Sequence, residues 1–179
     1  MSAYRRAMSA ISVAVVGHDR PGIVHRVTAA IADLEGNLED SSMSLLRGHF
    51  AMTLIASLPD EAAVRQLDQA LGDLRSEGLT VAVFEVPDQE APAPGESARL
   101  SVHGADRPGI VRAATEQVMR HGGNITDLST RLGSDLYVLS ADVTFPPGSD
   151  LAAIGKSVKE QLAAVGVVAT LTPVDEDLL

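Results

Sequence analysis

The sequence predicts an α+β chain in which one unit, strand–helix–strand–strand–helix–strand, is written twice. Three observations predict it. The run Asp-Arg-Pro-Gly-Ile-Val occupies residues 19–24 and again residues 106–111, each time with a glycine two positions ahead, Gly17 and Gly104. The offset of 87 positions holds through Val15/Val102, Thr28/Thr115, Gly36-Asn37/Gly123-Asn124, Asp40/Asp127, Ser42/Ser129 and Leu45/Leu132. Finally, the apolar spacing alternates between strand-like and helix-like periods in the same order in both copies. Self-similarity of this kind marks a repeated folding unit.

In the first copy, residues 11–16 form a β-branched run that ends at Gly17, a first strand. Pro21 stands where proline opens a helix. Ile23, Val27 and Ile31, with their neighbours Val24 and Leu34, share one face of that helix. The cap is expected at Asp19 or Arg20, with the Asp19 carboxylate accepting from a first-turn N–H. Gly36 is expected to end the helix as a C-terminal glycine. Residues 37–46 read as the second strand, with a turn at Arg47-Gly48. Phe50, Met52, Leu54, Ala56 and Leu58 then point one way and Thr53 and Ser57 the other, a half-buried strand. Pro59-Asp60-Glu61 opens one long second helix striped by Val64, Leu67, Leu71 and Leu74. Gly78 ends it, and residues 79–86 are the fourth strand.

The second copy repeats each step. Residues 100–104 are its first strand, Ile110, Ala114 and Val118 stripe its first helix, and Gly122-Gly123 stops it. Residues 124–132 are a strand, Gly133-Ser134-Asp135 turns, and Tyr137, Leu139, Ala141, Val143 and Phe145 alternate. Leu151, Ile154, Val158, Leu162 and Val165 stripe the second helix, and residues 167–174 close the unit. Between the copies, residues 87–97 carry Pro, Ala, Gly and acids with no apolar face, a linker composition. The expected domains are therefore residues 10–87 and 98–175, joined by a linker at 88–97.

This element order is the ferredoxin-like split βαβ arrangement. Each copy should form a four-stranded antiparallel sheet with two helices on one face, its first crossover right-handed. The sheet edges are unpaired and invite pairing. Two copies on one tether meet at high effective concentration, so an intrachain pseudo-dimer is expected.

Composition narrows function. The chain has 179 residues, enough for two small domains. It has no cysteine, so neither disulfides nor thiolate chemistry is available, which fits a reducing cytoplasm. A net charge of −10 disfavours nucleic-acid phosphates and anionic membranes. Arg5-Arg6 before an apolar run has the outline of a signal peptide. That run is short, however, and matches the first strand of the second copy, so it reads as a strand. No stretch approaches the roughly 20 apolar residues of a membrane span.

Catalysis has little support: Ser42 and Ser129 recur, but no recurrent His accompanies them. The five histidines lack ligand spacing, so no metal site and no cofactor is expected. RNA-recognition modules of this topology stack bases on exposed aromatics in a basic surface. Here aromatics total 3%, and Phe50 and Tyr137 fall in phase with Met52 and Leu139, on the side that the helices would cover.

The recurring loop is the strongest functional candidate. A strand-to-helix turn offers free N–H groups and the positive end of a helix dipole, a small anion site. A carboxylate there is typically worth about 0.3–1 kcal/mol, up to about 2 when partly buried, so other groups must hold the rest of a ligand. A well-capped turn, needed twice because the fold is used twice, explains Asp19 and Pro21. It leaves Gly22, Gly109, Arg20 and Arg107 without a reason.

The pattern Gly-x-Asp-Arg-Pro-Gly-Ile-Val, followed by Gly-Asn-Leu/Ile-x-Asp, resembles the ACT domain. The tandem arrangement is similar to the glycine cleavage system transcriptional repressor group, over about residues 11–174. The resemblance implies an amino-acid-sensing regulatory module whose domains pair side by side. The ligand would sit where the first loop of one domain meets the second-strand start of its partner. On that basis Gly17, His18, Asp19, Arg20, Pro21 and Gly22 face Asn124 and Ile125. Likewise Gly104, Ala105, Asp106, Arg107, Pro108 and Gly109 face Asn37 and Leu38. Asn37 and Asn124 carry an acceptor for an ammonium and a donor for a carboxylate. They are equally ordinary turn residues after a glycine.

The copies differ at His18 against Ala105, Val16 against His103, and Leu46-Arg47 against Gly133-Ser134, so two sites would differ in affinity. Either His is able to tune a site near neutral pH, or is incidental, since neither recurs. The functional expectation is a non-enzymatic cytoplasmic regulator of amino-acid metabolism. It would bind a small amino acid, with glycine or serine implied by the resemblance, and signal to a protein partner such as a transcription factor. Direct nucleic-acid or membrane binding is not expected, and a homodimer is left open. The rival reading is a protein–protein adaptor that binds no metabolite and docks through its polar sheet face or an edge strand.

Overall fold

The computed structural model describes residues 9–86, 95–133 and 136–174. The chain divides into two compact units. The first contains β1 (Ser9–His18), α1 (Ile23–Asp33), β2 (Asn37–Leu46), β3 (His49–Leu58), α2 (Glu61–Ala70), α3 (Gly72–Ser76) and β4 (Thr80–Glu85). The second contains β5 (Glu96–Gly104), α4 (Ile110–Arg120), β6 (Asn124–Leu132), β7 (Tyr137–Phe145), α5 (Leu151–Ala163) and β8 (Val167–Pro173). The sheet orders are β2-β3-β1-β4 and β6-β7-β5-β8, every pair antiparallel. This is the split βαβ fold, twice.

Each unit has its own core. In the first, Ile11, Val13 and Val15 of β1 and the alternating set Phe50, Met52, Leu54, Ala56 and Leu58 of β3 meet Ile23, Val27 and Ile31 of α1 and Leu67 of α2. Fully burying a side chain of this size contributes roughly 1.5–3 kcal/mol. The second unit repeats the arrangement with Leu100, Val102, Leu139, Ala141, Val143, Phe145, Ile110, Val118, Val158 and Leu162. Ser42 and Ser129 lie on the opposite, helix-free sheet face, opposite Thr53 and Ser140. A β-bulge interrupts the edge strand between Leu38 and Asp40, and its counterpart lies between Ile125 and Asp127. Arg47 and Gly48 both take positive φ, 50° and 83°, which is the backbone a tight two-residue hairpin with right-handed twist requires.

Several local expectations are corrected. Gly36 is not the left-handed residue that ends α1; Glu35 is, at φ 57°. Its N–H donates to the Ala32 carbonyl and the Gly36 N–H to the Ile31 carbonyl. Gly36 is required for space instead: a Cβ there would lie 2.6 Å from Leu58 Cδ2 and 2.9 Å from the Ile31 carbonyl oxygen. In the second unit Gly122 takes the left-handed position at φ 72°, and Gly123 makes room for the Phe145 ring.

The single second helix of the first copy is broken. α2 stops at Ala70, Leu71 turns at φ −83° and ψ 1°, and α3 restarts at Gly72. Glycine at the restart is the weakest ordinary helix former. Leu67, Leu71 and Leu74 stay buried across the break, so the stripe survives, while Val64 is only partly buried. The Asp60 carboxylate caps α2 by accepting from the Ala63 N–H at 2.9 Å. Val24 and Val165, expected on buried faces, are exposed; Val165 lies beyond the end of α5. β5 begins at Glu96, inside the stretch of linker composition, because Glu96 and Ser97 pair with Phe145 and Thr144. The rest of that stretch up to residue 94, and Ser134-Asp135 of the turn, fall outside the described residues.

Candidate functional site

Gly17 and Gly104 close the first strands against the starts of the last ones. A Cβ on Gly17 would lie 2.5 Å from Leu79 Cδ2, and one on Gly104 would lie 2.9 Å from Val167 Cγ1. Asp19 continues the ladder beyond β1, its N–H donating to the Gly48 carbonyl at 3.0 Å. The expected cap at Asp19 or Arg20 is not formed. The N-cap residues are Gly22 and Gly109, at φ 93° and 95°, and no side chain caps either helix. Pro21 and Pro108 lie in the turn before the cap rather than in the first helical turn. The left-handed cap accounts for both glycines, since nothing lies within 4 Å of where a Cβ would stand. The first-turn N–H groups are left uncapped at both helix starts.

Arg20 reaches across the unit. Its Nη1 donates to the Glu77 carbonyl at 3.1 Å and its Nη2 pairs with the Glu77 carboxylate at 2.6 Å. Arg26 donates to both oxygens of the same carboxylate, at 3.0 and 2.9 Å. The Arg26 hydrogen bond, with the charges of Arg20 and Arg26, holds the Glu77 carboxyl below the usual carboxylate range. Glu77 precedes Gly78, a left-handed residue at φ 89° that leads into β4. In the second unit Arg107 lies over Gly166, the matching left-handed residue at φ 78°, where a Cβ would collide with its guanidinium. The residue before Gly166 is Val165, so the carboxylate has no counterpart. Among the described residues Arg107 makes no ion pair. The recurring arginine therefore has a structural task, bracing the loop against the turn before the last strand. In the first unit its charge is engaged by Glu77, and in the second no charged partner stands among the described residues.

His18 is the last residue of β1 and pairs directly with His49, the first of β3. Their ring centroids are 5.0 Å apart. Ala105 is exposed in the loop of the second unit, as are Asp106 and Pro108.

Asn37 and Asn124 are exposed at the starts of β2 and β6, opposite Ser57 and Thr144. Leu38 is exposed, and Ile125 packs against the core of its unit. Within a unit the loop and the Gly-Asn turn are not brought together. β3 pairs Asn37 with Ser57, itself opposite Ala10, whereas the loop follows His18. Eight strand residues separate those levels, about 26 Å at the usual rise. One unit presents the two halves of the predicted site at opposite ends of its sheet.

A model of the ACT domain matches residues 9–83. A UPF0237 protein of Methanopyrus kandleri is 37% identical over 70 residues, covering 39% of this chain and 71% of that protein. The chain belongs to the ACT domain family. A second UPF0237 protein, from Methanosarcina mazei, is 37% identical over 75 residues, covering 40% of this chain and 79% of that protein. The second unit joins the family through the internal repeat and its identical topology. A solved structure of a Galdieria sulphuraria protein is 29% identical, with TM-score 0.74, covering 94% of this chain and 99% of the other. A candidate glycine cleavage system transcriptional repressor shares the fold at TM-score 0.71 and 16% identity, covering 95% and 99%. ACT domains are regulatory modules and often bind amino acids. Among the described residues, no helix is long and apolar enough to cross a membrane.

Three features are not legible in the sequence. Glu77 sits at no repeated position, and His49 reaches His18 only through strand register, which Gly17 opposite Phe50 sets. A groove of about 330 Å³ between α1 and the α2–α3 pair, lined by His25, Arg26, Ala30, Leu34, Leu71 and Asp73, was also unforeseen.

Proposed function

We propose that this chain is a non-enzymatic cytoplasmic regulator that binds a small amino acid at its recurring loops and signals to a protein partner. The observation that carries this reading is the pair of uncapped helix starts. At both, a left-handed glycine leaves first-turn N–H groups free, and these groups with the dipole favour a carboxylate. Family membership supports an amino acid as its owner. The resemblance places Asn37 or Asn124 against the ligand, where the amide carries an acceptor for the ammonium and a donor for the carboxylate. Each lies at the far end of its own sheet from its own loop, so a complete site takes the loop of one unit and the Gly-Asn turn of another. Arg107, which has no ion pair among the described residues, favours the second loop as the tighter site. Glycine and serine are the first ligands to try, and control of transcription in amino-acid metabolism is the proposed setting; both choices follow from the resemblance to the glycine cleavage repressor group.

The test is thermal unfolding of the full chain against the twenty amino acids at millimolar concentration. A ligand at 100 times its Kd adds about 2.7 kcal/mol of stability. No shift with any amino acid would overturn the sensor reading. The adaptor reading would then stand on its own observation. All ten residues of the edge strand β2 are exposed, with Met43, Leu45 and Leu46 each more than half uncovered. Such an edge suits the addition of a partner strand.

A further inference from the structure

We propose that His18 and His49 form a bidentate site for a first-row divalent transition ion, Cu²⁺, Ni²⁺ or Zn²⁺. The inference is independent of the amino-acid reading. The two residues are direct cross-strand partners, so both side chains leave the same face of the sheet. Both are exposed, and their ring centroids stand 5.0 Å apart with 30° between planes. A metal bound to an imidazole nitrogen at about 2.0–2.1 Å lies about 3.2 Å from the ring centre. Ligand angles from square-planar to tetrahedral then put the two ring centres about 4.5–5.2 Å apart. The observed separation falls inside that window.

The backbone beneath the dyad is held on both sides. Gly17 and Phe50 pair on one side, and on the other the Asp19 N–H donates to the Gly48 carbonyl at 3.0 Å, within the tight turn that precedes His49. Fixing the backbone that carries both rings before binding removes part of the ordering cost. Among the described residues, no group of three or more His, Cys, Asp or Glu side chains could hold a metal. The ion would therefore keep open positions for water or a small chelating molecule. Borderline imidazole ligands select Cu²⁺, Ni²⁺ and Zn²⁺ over Mg²⁺ and Ca²⁺. The site belongs to the first unit only: the matching positions in the second hold Ala105 and Leu136.

The experiment is calorimetric titration of Ni²⁺ and Zn²⁺ into the tag-free full chain at neutral pH. One ion per chain should bind. His18→Gln and His49→Gln should each weaken binding at least tenfold, because each destroys the chelate, while His103→Gln should leave it unchanged. Mg²⁺ should produce no binding. In a parallel NMR titration with Zn²⁺, the ring resonances of His18 and His49 should move together at the same stoichiometry. Both substituted residues are exposed, and metal-free variants should melt with wild-type cooperativity. Absence of binding at 1 mM ion overturns the proposal, as does wild-type affinity in either single variant.

Discussion

Replacing Glu35 by glycine should stabilise the first unit, while replacing its neighbour Gly36 by alanine should destabilise it. Glu35 ends α1 at φ 57°, a conformation in which an L side chain crowds its own carbonyl. That crowding costs roughly 1–2 kcal/mol. Glycine relieves it but adds freedom to the unfolded chain, an offset of about 0.4–1 kcal/mol. The net gain is about 0.5–1 kcal/mol, or roughly 2–8 °C in the melting temperature of a unit this size. Glu35 is exposed and forms no ion pair among the described residues, so nothing else is lost. Gly36 poses the opposite problem. Its new Cβ would stand 2.6 Å from Leu58 Cδ2 and 2.9 Å from the Ile31 carbonyl oxygen, and Leu58 is fully buried. Overpacking of this kind costs about 1–3 kcal/mol. Urea titration of the full chain, combined with hydrogen exchange at β1 and β3 amides, reports the first unit separately from the second. A loss of stability in Glu35→Gly, or a neutral Gly36→Ala, would refute the assignment of these two roles.

Gly22→Ala and Gly109→Ala should each cost about 0.5–1 kcal/mol, the left-handed strain less the freedom that alanine removes from the unfolded chain, and by the same amount in the two units, because their φ values agree within a few degrees and neither Cβ meets a neighbour. Markedly unequal losses in denaturant titrations would mean that one glycine has a further task. Glu77→Gln should flatten the acid limb of the first unit's stability. The Glu77 carboxyl is held low, first by the Arg26 hydrogen bond and then by the charge of Arg20. A depressed folded pKa gives stability that is present above the unfolded value, about 4.3, and is lost as pH falls through the folded one. The difference between wild type and variant should therefore shrink as the solution is acidified below about pH 4; a constant difference down to pH 2 would contradict the pairing. Arg107→Ala should weaken amino-acid binding more than Arg20→Ala, since Arg20 is already engaged by Glu77. Calorimetry showing the reverse order would reassign the tighter site.

The fold was legible because β periodicity, helical stripes and the repeat agree with one another. Residues 50–58 alternate in the sequence as they do in the sheet, and residues 37–46 are β2 without adjustment. What stayed hidden depends on dihedral angles or on long-range contacts. A glycine in the sequence announces freedom without saying whether that freedom is used for φ, as at Gly22, or for space, as at Gly36. The cap at Asp19 was a sound inference from residue type. It fails because the turn extends to Gly22 before the helix begins, which leaves Asp19 short of the cap position. Arg20 and Glu77 are 57 positions apart, and no local pattern links them. The candidate loop was visible from the repeat, but the task of its arginine was not.

The brace between the first loop and the last strand differs in kind between the units. In the first, Arg20 is bonded to Glu77, just ahead of β4, and β4 is an outer strand of its sheet. A bonded tether resists both pulling and pushing, so a displacement of the loop in either direction moves the edge of the sheet with it. In the second, Arg107 rests against Gly166 and has no ion pair among the described residues. A resting contact resists compression and gives way under tension. Two loops written in the same residues would thus hand the same displacement to their sheets differently: one as a lever that works in both directions, the other as a stop that works in one.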